Sequence, residues 1–194
     1  TYSDTPAKNN FPGNPASVEY RESIYIGYRY YDSADMRVGY PFGHGLSYAK
    51  FVYSKLTVSE NEVSFTIKNN ASVRGCEVAQ IYAGISSSAV IRPKKELCGF
   101  AKIELRPFEQ KRISVKIELP RIYKDGASVC EKGSYTVYVG SSVSDIRLSG
   151  RCEAGDTVLS PDGERRSDYL QTSTNVLNDK YVLEADYSLM KKAL

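Results

Sequence analysis

The chain has 194 residues, 41% of them hydrophobic and 25% charged, which suits a globular protein that buries a core of its own. A formal net charge of +3 from 26 basic and 23 acidic residues is a mild surplus, so no nucleic-acid partner is expected. No apolar run is long enough to span a bilayer, and no membrane partner is expected.

The first predicted piece covers residues 1–40 and is rich in Tyr, Asn, Pro and Gly. NNFPGNPASVEY, residues 9–20, has the composition of turns and loops. SIYIGYRYYD, residues 23–32, predicts one short strand, since aromatic and β-branched residues favour strands. One strand behind an irregular leader cannot bury its own faces. This piece is therefore expected to be the end of a larger domain.

The middle piece predicts an antiparallel β-sandwich of seven or eight strands within residues 41–150. Several short segments alternate apolar and polar residues with the period of a strand, and turn signals fall at residues 69–70, 106–107 and 124–126. No convincing helix interrupts them, which is typical of a mainly β sandwich. The alternation predicts these core residues: Val63, Phe65, Ile67, Ile113, Val115, Ile117, Tyr135, Val137 and Val139.

The last piece, residues 151–194, begins as a polar linker. NVLNDKYVLEADYSLMKKAL, residues 175–194, then carries apolar residues at mixed helical spacing. This pattern predicts a helix somewhere within residues 177–192. Because short isolated helices are marginal, its apolar face would need a partner.

Four cysteines are spaced 22, 32 and 22 residues apart, at Cys76, Cys98, Cys130 and Cys152. They contain no C-x-x-C pair, and the chain has one histidine, so no metal site is expected. Buried free thiols are the favoured interpretation, and a disulfide pair is left open.

Residues with catalytic chemistry are present but are not arranged in a recognisable motif. Ser47 follows GHGL without the G-x-S-x-G elbow of acyl-transfer enzymes. Glycosidases use paired carboxylates, and the first piece holds Asp4, Glu19, Glu22, Asp32 and Asp35. Most carboxylates are surface charges, so no catalytic residue is assigned. The densest basic stretches, RPKK at 92–95 and KKAL at 191–194, are interpreted as solvated positions.

YPFGHGLSYAKF, residues 40–51, resembles the segment [FY]-P-F-G-H-G-L-S-Y-T-x-F of family-three glycoside hydrolases, the β-glucosidase family. Two upstream segments also resemble strings of that family: FPG and VEYRESIYIGYRYYD. Three downstream segments do so as well: VAQIYAGI, IRPKKELCGFAKIEL and GSYTVYVGSS. The strings occur in the family's order from about residue 2 to residue 148. Ser23 stands where the family often has Gly.

The resemblance implies a domain organisation. In that family a (β/α)8 barrel and an α/β sandwich domain form the active site, and a fibronectin type III-like, immunoglobulin-like β-sandwich follows them. Residues 1–40 would be the end of the α/β sandwich domain, residues 41–150 the fibronectin type III-like domain, and residues 151–194 a linker with a helical tail. The tail suits either a permuted domain order or an ordinary extension.

The resemblance also implies that this portion has no catalytic role. The motifs carrying the family's nucleophilic Asp and its acid/base Glu do not occur in this chain. The chain is therefore expected to be an accessory portion, inactive alone and without cofactor, that braces the barrel and α/β sandwich domains. Homodimer contacts are left open. Localisation is not assigned, with the cytoplasm slightly favoured over a secreted or periplasmic location.

A structural junction between the two domains is expected at Pro41, Phe42, Gly43, His44, Gly45 and Tyr48. The glycines permit unusual backbone conformations or close approach, and Pro41 fixes the entry. Phe42 and Tyr48 are expected to anchor the corner by burial. His44 is expected to be buried and hydrogen-bonded across the junction. Direct catalysis or sugar contact is its alternative role.

Two competing interpretations remain for the whole chain. The first is an independent carbohydrate-binding or protein-interaction β-sandwich module, and a carbohydrate-binding module would show a coplanar row of exposed tyrosines on one sheet face. A complete small hydrolase would need two carboxylates about 5–10 Å apart in a pocket.

Overall fold

The computed structural model describes residues 2–8, 11–13, 22–124, 127–155 and 157–158. A short 3-10 helix, Tyr2–Asp4, and one α-helix, α1 at Tyr28–Ser33, precede the strands. The strands are β1 Phe51–Val58, β2 Glu62–Asn69, β3 Gly75–Ile85, β4 Glu96–Leu105, β5 Gln110–Lys116, β6 Ile122–Lys124, β7 Ala127–Cys130, β8 Gly133–Gly140, β9 Ile146–Ala154 and β10 Thr157–Val158. The helix expected within residues 177–192 lies outside the described residues.

Two larger antiparallel sheets face each other and confirm the mainly β sandwich. One has the order β1-β2-β5 and the other the order β4-β3-β8-β9. A third, small sheet joins β10, β7 and β6. Strand pairing therefore continues past residue 150, because β9 runs to Ala154 and β10 pairs with β7. None of the helices in the described ranges is long and apolar enough to cross a membrane.

The core lies between the two larger sheets and confirms the predicted alternation. Val63, Phe65 and Ile67 of β2 are completely buried, and so are Tyr135, Val137 and Val139 of β8. In the register of the three-stranded sheet, Phe65 lies opposite Ile113 and Val63 opposite Val115. Ile117 is buried, whereas Ile113 and Val115 are half-buried and pack against the cluster. The period of two thus identified the inward face of each strand.

The strand predicted at residues 23–32 is wrong, because α1 occupies Tyr28–Ser33. Gly27 precedes the helix with φ of +60°, a turn that a continuing strand would not contain. Tyr30 and Ser33, three positions apart, are the buried residues of the helix. Packing of this helical face overrides the strand preference of aromatic residues. Ser23 has φ of +48°, in the left-handed region that favours the Gly of the resemblance.

The cysteines are all free thiols, as the favoured interpretation held. Cys130 is buried and Cys98 and Cys152 are half-buried, but Cys76 is exposed, so the expectation of burial is wrong for Cys76. Burial raises the pKa of the Cys98 thiol to about 12. Within the described ranges, no cluster of His, Cys, Asp and Glu could hold a metal ion.

Candidate interdomain junction

Helix α1 lies on the outer face of the four-stranded sheet, and Tyr28 is its central contact. Along β3, Ala79, Ile81 and Ala83 join the core, so the alternate residues Gln80 and Tyr82 face outward, yet both are buried. The Tyr28 ring meets Tyr82 edge-on, with ring centroids 6.0 Å apart. Its hydroxyl accepts a 2.8 Å hydrogen bond from the backbone N–H of Leu97. The helix is therefore held to the strands β3 and β4.

Ion pairs and a further hydrogen bond complete this contact. We call the residues of α1 and of the chain around the start of β4 that make it the α1 clamp: Tyr28, Arg29, Asp32, Ser33, Lys94, Lys95, Glu96 and Leu97. Lys95 Nζ lies 2.6 Å from Asp32 Oδ1, and both side chains are largely buried. Arg29 pairs with Glu96 at 3.5 Å. The backbone N–H of Lys94 donates to Ser33 Oγ at 3.1 Å. Separating a buried ion pair costs several kcal/mol of stability, because each charge is left without its partner. The clamp therefore holds α1 in one position on the sheet.

The loop between β3 and β4 is anchored on its other side by Glu131. Arg92 Nη1 lies 2.8 Å from Glu131 Oε2, and the Arg92 side chain is only 7% exposed. The same carboxylate accepts hydrogen bonds from the Ser88 hydroxyl and the Ala89 N–H. Burial opposes ionisation of Glu131, but these hydrogen bonds and the Arg92 charge together hold its pKa below the usual value. The loop therefore presents Lys94 and Lys95 to α1 from a fixed base.

The chain between α1 and β1 passes over the same sheet face. Phe42 stacks on Tyr28 with ring centroids 4.7 Å apart, and its carbonyl accepts from the Val143 N–H at 3.0 Å. Gly43 has φ of +82°, and a Cβ added there would lie 2.1 Å from the Gln80 side chain. A residue with a side chain would be strained and would collide, so glycine is required at this position.

Only some of the six predicted junction residues contact the rest of the described structure. The Pro41 carbonyl accepts a hydrogen bond from the His44 N–H, while Phe42 and Gly43 make the contacts described above. A Cβ added at Gly45 would meet nothing within 4 Å. Tyr48 is 99% exposed and Phe42 46% exposed, so the expected burial of both rings is wrong for this chain by itself.

His44 is exposed, which contradicts the expectation of a buried imidazole within this chain. Its ring lies against Tyr40, with centroids 5.3 Å apart. Because the sequence pattern shows residue types but not what covers them, burial of this loop could not be deduced from it.

Sequence reasoning missed the residues that hold the junction together. Arg92 and Lys95 were interpreted as solvated, which is wrong, because both side chains are largely buried in ion pairs. Asp32 and Asp35 stood only as candidate carboxylates, and each pairs with a lysine of the β3–β4 loop. Asp32 and Lys95 are 63 positions apart in the sequence, so no local sequence pattern connects them.

The strands do not form a sugar-stacking face in the part of the chain that the structure describes. Tyr53, Tyr82 and Tyr135 are buried, and Tyr138 is half-buried with Lys95 over its ring. Among the strand tyrosines described, Tyr123 is the exposed one. A single exposed ring does not make the coplanar row that a carbohydrate-binding module would show.

Comparisons with known proteins agree with this arrangement. The fibronectin type III-like domain family matches residues 77–143. The chain is 42% identical over 160 residues to "Probable beta-glucosidase K" of Emericella nidulans, covering 79% of this chain and 19% of that protein. It is 36% identical to thermostable β-glucosidase B of Acetivibrio thermocellus, covering 80% of this chain and 22% of that protein.

Solved structures give the same result. The crystal structure of the family-three β-glucosidase of Bifidobacterium adolescentis superposes with a TM-score of 0.75 at 34% identity, covering 82% of this chain and 25% of that one. The chain thus spans about a fifth of the length of the curated relatives that it matches. It therefore corresponds to a small part of a family-three β-glucosidase, and that part contains the fibronectin type III-like domain.

Proposed function

We propose that this chain is a non-catalytic portion of a β-glucosidase-type enzyme, which hydrolyses O-glycosyl bonds, and that it braces the catalytic domains. The observation that carries the proposal is the α1 clamp. Its buried Asp32–Lys95 pair joins the segment before residue 40 to the sandwich. In this proposal residues 1–40 end the α/β sandwich domain, residues 41–150 form the brace, and residues 151–194 are a linker and tail.

The partners in this proposal are the other domains of the same parent. The curated relatives are about five times longer than the stretch that matches this chain, so most of such a protein lies outside it. The barrel and the α/β sandwich domain are the parts to be braced. We also propose contacts between two copies of the parent, which a measurement of its molar mass in solution tests.

The carboxylates beside α1 support a structural role over a catalytic one. Asp32 pairs with Lys95, and Asp35 pairs with Lys94. Both carboxylates are therefore already held by ion pairs within this chain. Glu19, which the sequence offered as a further candidate, lies outside the described residues.

The direct test is hydrolysis by the purified chain. We expect no turnover of an aryl β-glucoside, because each 1.36 kcal/mol of lost transition-state stabilisation is about tenfold in rate, and both family carboxylate motifs are missing. The full-length parent, assayed in parallel, is the positive control. Turnover by the chain that a single Asp or Glu substitution abolishes would contradict the proposal.

A further inference from the structure

A cavity of about 700 Å³ lies at one edge of the sandwich, where the start of β4 meets the chain that follows β5. Its volume is within the range of about 300–1,000 Å³ that binding pockets have. Leu97 and Cys98 line one side, and Ile117 and Leu119 line the other. The backbone N–H of Glu118 donates to the Cys98 carbonyl at 3.4 Å, which joins the two sides. We call this cavity the β4–β5 pocket.

Arg121 gives the pocket a positive charge without a partner. Its Nε and Nη1 atoms are buried and have no hydrogen-bond partner among the described residues. Lys116 and Glu118 also line the pocket, but both are exposed to water. A guanidinium group cannot escape burial by losing its proton, so an unpaired one is destabilising. Since the Arg121 side chain as a whole is only half-buried, it can turn to meet a carboxylate that enters the pocket.

The last described strand, β10, lies close to this pocket. In the small sheet Val158 pairs with Val129, and Val129 pairs with Ile122, the residue after Arg121. Neighbouring strands are about 4.8 Å apart, so Val158 lies about 10 Å from Ile122. An extended residue spans about 3.3 Å, so residues 159–178 are long enough to cross that distance.

The helix predicted within residues 177–192 carries chemistry that matches the pocket. Leu183, Tyr187 and Met190 are spaced i, i+4 and i+7, so they share one stripe of such a helix. Asp179 and Asp186 fall on the same stripe, each four positions before one of these apolar residues. Against a purely apolar partner the two carboxylates would be unpaired. The stripe suits a pocket that combines apolar walls with an unpaired arginine.

We propose that the β4–β5 pocket is the docking site of the C-terminal segment, residues 159–194, with a carboxylate of Asp179 or Asp186 on Arg121. In this binding mode an amphipathic helix lays one face in an apolar groove. Because the segment is covalently joined to β10, the contact is intramolecular and a small area is enough. The inference is independent of the bracing function, since both partners lie in this chain.

Hydrogen–deuterium exchange of the whole 194-residue chain tests the proposal. Asp179→Asn with Asp186→Asn should speed exchange of the backbone amides at residues 97–98 and 117–121 by about tenfold or more, because Arg121 loses its partner. Glu184→Gln, on another side of the predicted helix, is the matched control and should leave the exchange unchanged. Unchanged exchange in the Asp variant, or equal acceleration in the control, would overturn the proposal.

A double-mutant cycle tests whether Arg121 is the partner. In a chain that carries Arg121→Met, the two Asp substitutions should no longer alter the exchange. If they act there as strongly as in the unsubstituted chain, the proposed pairing is wrong. The comparison with Glu184→Gln decides the matter even where Arg121→Met does not fold.

Two further outcomes would assign the pocket to a different occupant and overturn the proposal. Protection of the pocket amides that is lost on dilution would indicate a second copy of the chain. Protection in the full-length parent that is insensitive to the Asp substitutions would indicate another part of the parent.

Discussion

At the scale of single residues, Gln80 connects the junction to the sandwich. Its Nε2 donates to the Gly43 carbonyl at 3.2 Å and to the Ser141 carbonyl at 2.7 Å. Its Oε1 accepts from the Tyr82 hydroxyl at 2.5 Å. A buried amide whose donors and acceptor are all used is stable in one arrangement only. The loop at Gly43 is therefore held in a defined place on the sheet.

Gly43→Ala should destabilise the chain by about 1–3 kcal/mol, because alanine is strained at a positive φ. The new methyl group would also displace the Gln80 side chain. The free energy of unfolding in urea measures the loss. Gly45→Ala is the matched control, since a Cβ there meets nothing within 4 Å. Equal stabilities of the two variants would show that the Gly43 contact is unimportant.

Glu77 predicts a pH dependence of stability. Burial raises the pKa of this carboxyl group, and the negative charge of Asp145 raises it further. The hydrogen bond from Tyr53 and the positive charge of Arg147 lower the pKa, but the net shift is upward. The folded chain therefore keeps the proton to higher pH than the unfolded chain does. Its contribution to the free energy of unfolding is complete below the unfolded pKa of about 4 and is lost as pH rises through the folded pKa.

Glu77→Gln should remove this pH dependence, because glutamine does not titrate and still accepts a hydrogen bond from the Tyr53 hydroxyl, which now lies 2.9 Å from Glu77 Oε1. Urea unfolding of the unsubstituted chain and of the variant at several pH values above about 4 measures how the free energy of unfolding changes with pH. A slope that survives in the variant would assign the pH dependence to another group.

At the scale of elements, the β3–β4 loop works as a two-sided connector. One side is fixed to Glu131 through Arg92, and the other is fixed to α1 through Lys94 and Lys95. A movement of α1 would therefore be passed to the strands β3 and β4 through side-chain ion pairs.

Phe65→Ala should cost about 3–5 kcal/mol of the free energy of unfolding, because the ring is completely buried in β2. It stacks near Tyr53, with ring centroids 5.8 Å apart, so its loss leaves a cavity beside Tyr53 in the core. Val52→Ala, on a half-exposed position of β1, should cost much less. Similar losses in both variants would reject the assigned register.

The sandwich strands could be predicted from the sequence, whereas α1 and the clamp could not. Alternation along β2 and β8 is a local signal, and burial follows it. Helix α1 has six residues, too few for a helical period to stand out against the strand preference of Tyr28 and Tyr30. Its stability comes from side chains that lie far away in sequence, such as Leu97, which donates to Tyr28. Exposure of Tyr48 could not be predicted either, because residue types in a loop do not show what covers them.

At the scale of the molecule, α1 forms a partial third layer on a two-sheet sandwich. The layer belongs to the segment before residue 40, and the sandwich follows it. Such a layer couples two domains when the contact is buried and charged, because separating them would leave charges without partners.

The measurement that tests the bracing function most directly is calorimetry and turnover of the full-length parent carrying Lys95→Met. Removing the ammonium group leaves Asp32 without its partner in a largely buried site, a loss of about 3–5 kcal/mol. Lys50→Met, at an exposed lysine, is the control. We predict that the Lys95 variant melts at a lower temperature, with the sandwich separating from the catalytic domains, and keeps its turnover at saturating substrate while folded. An unchanged melting curve with a collapsed turnover would contradict a bracing role.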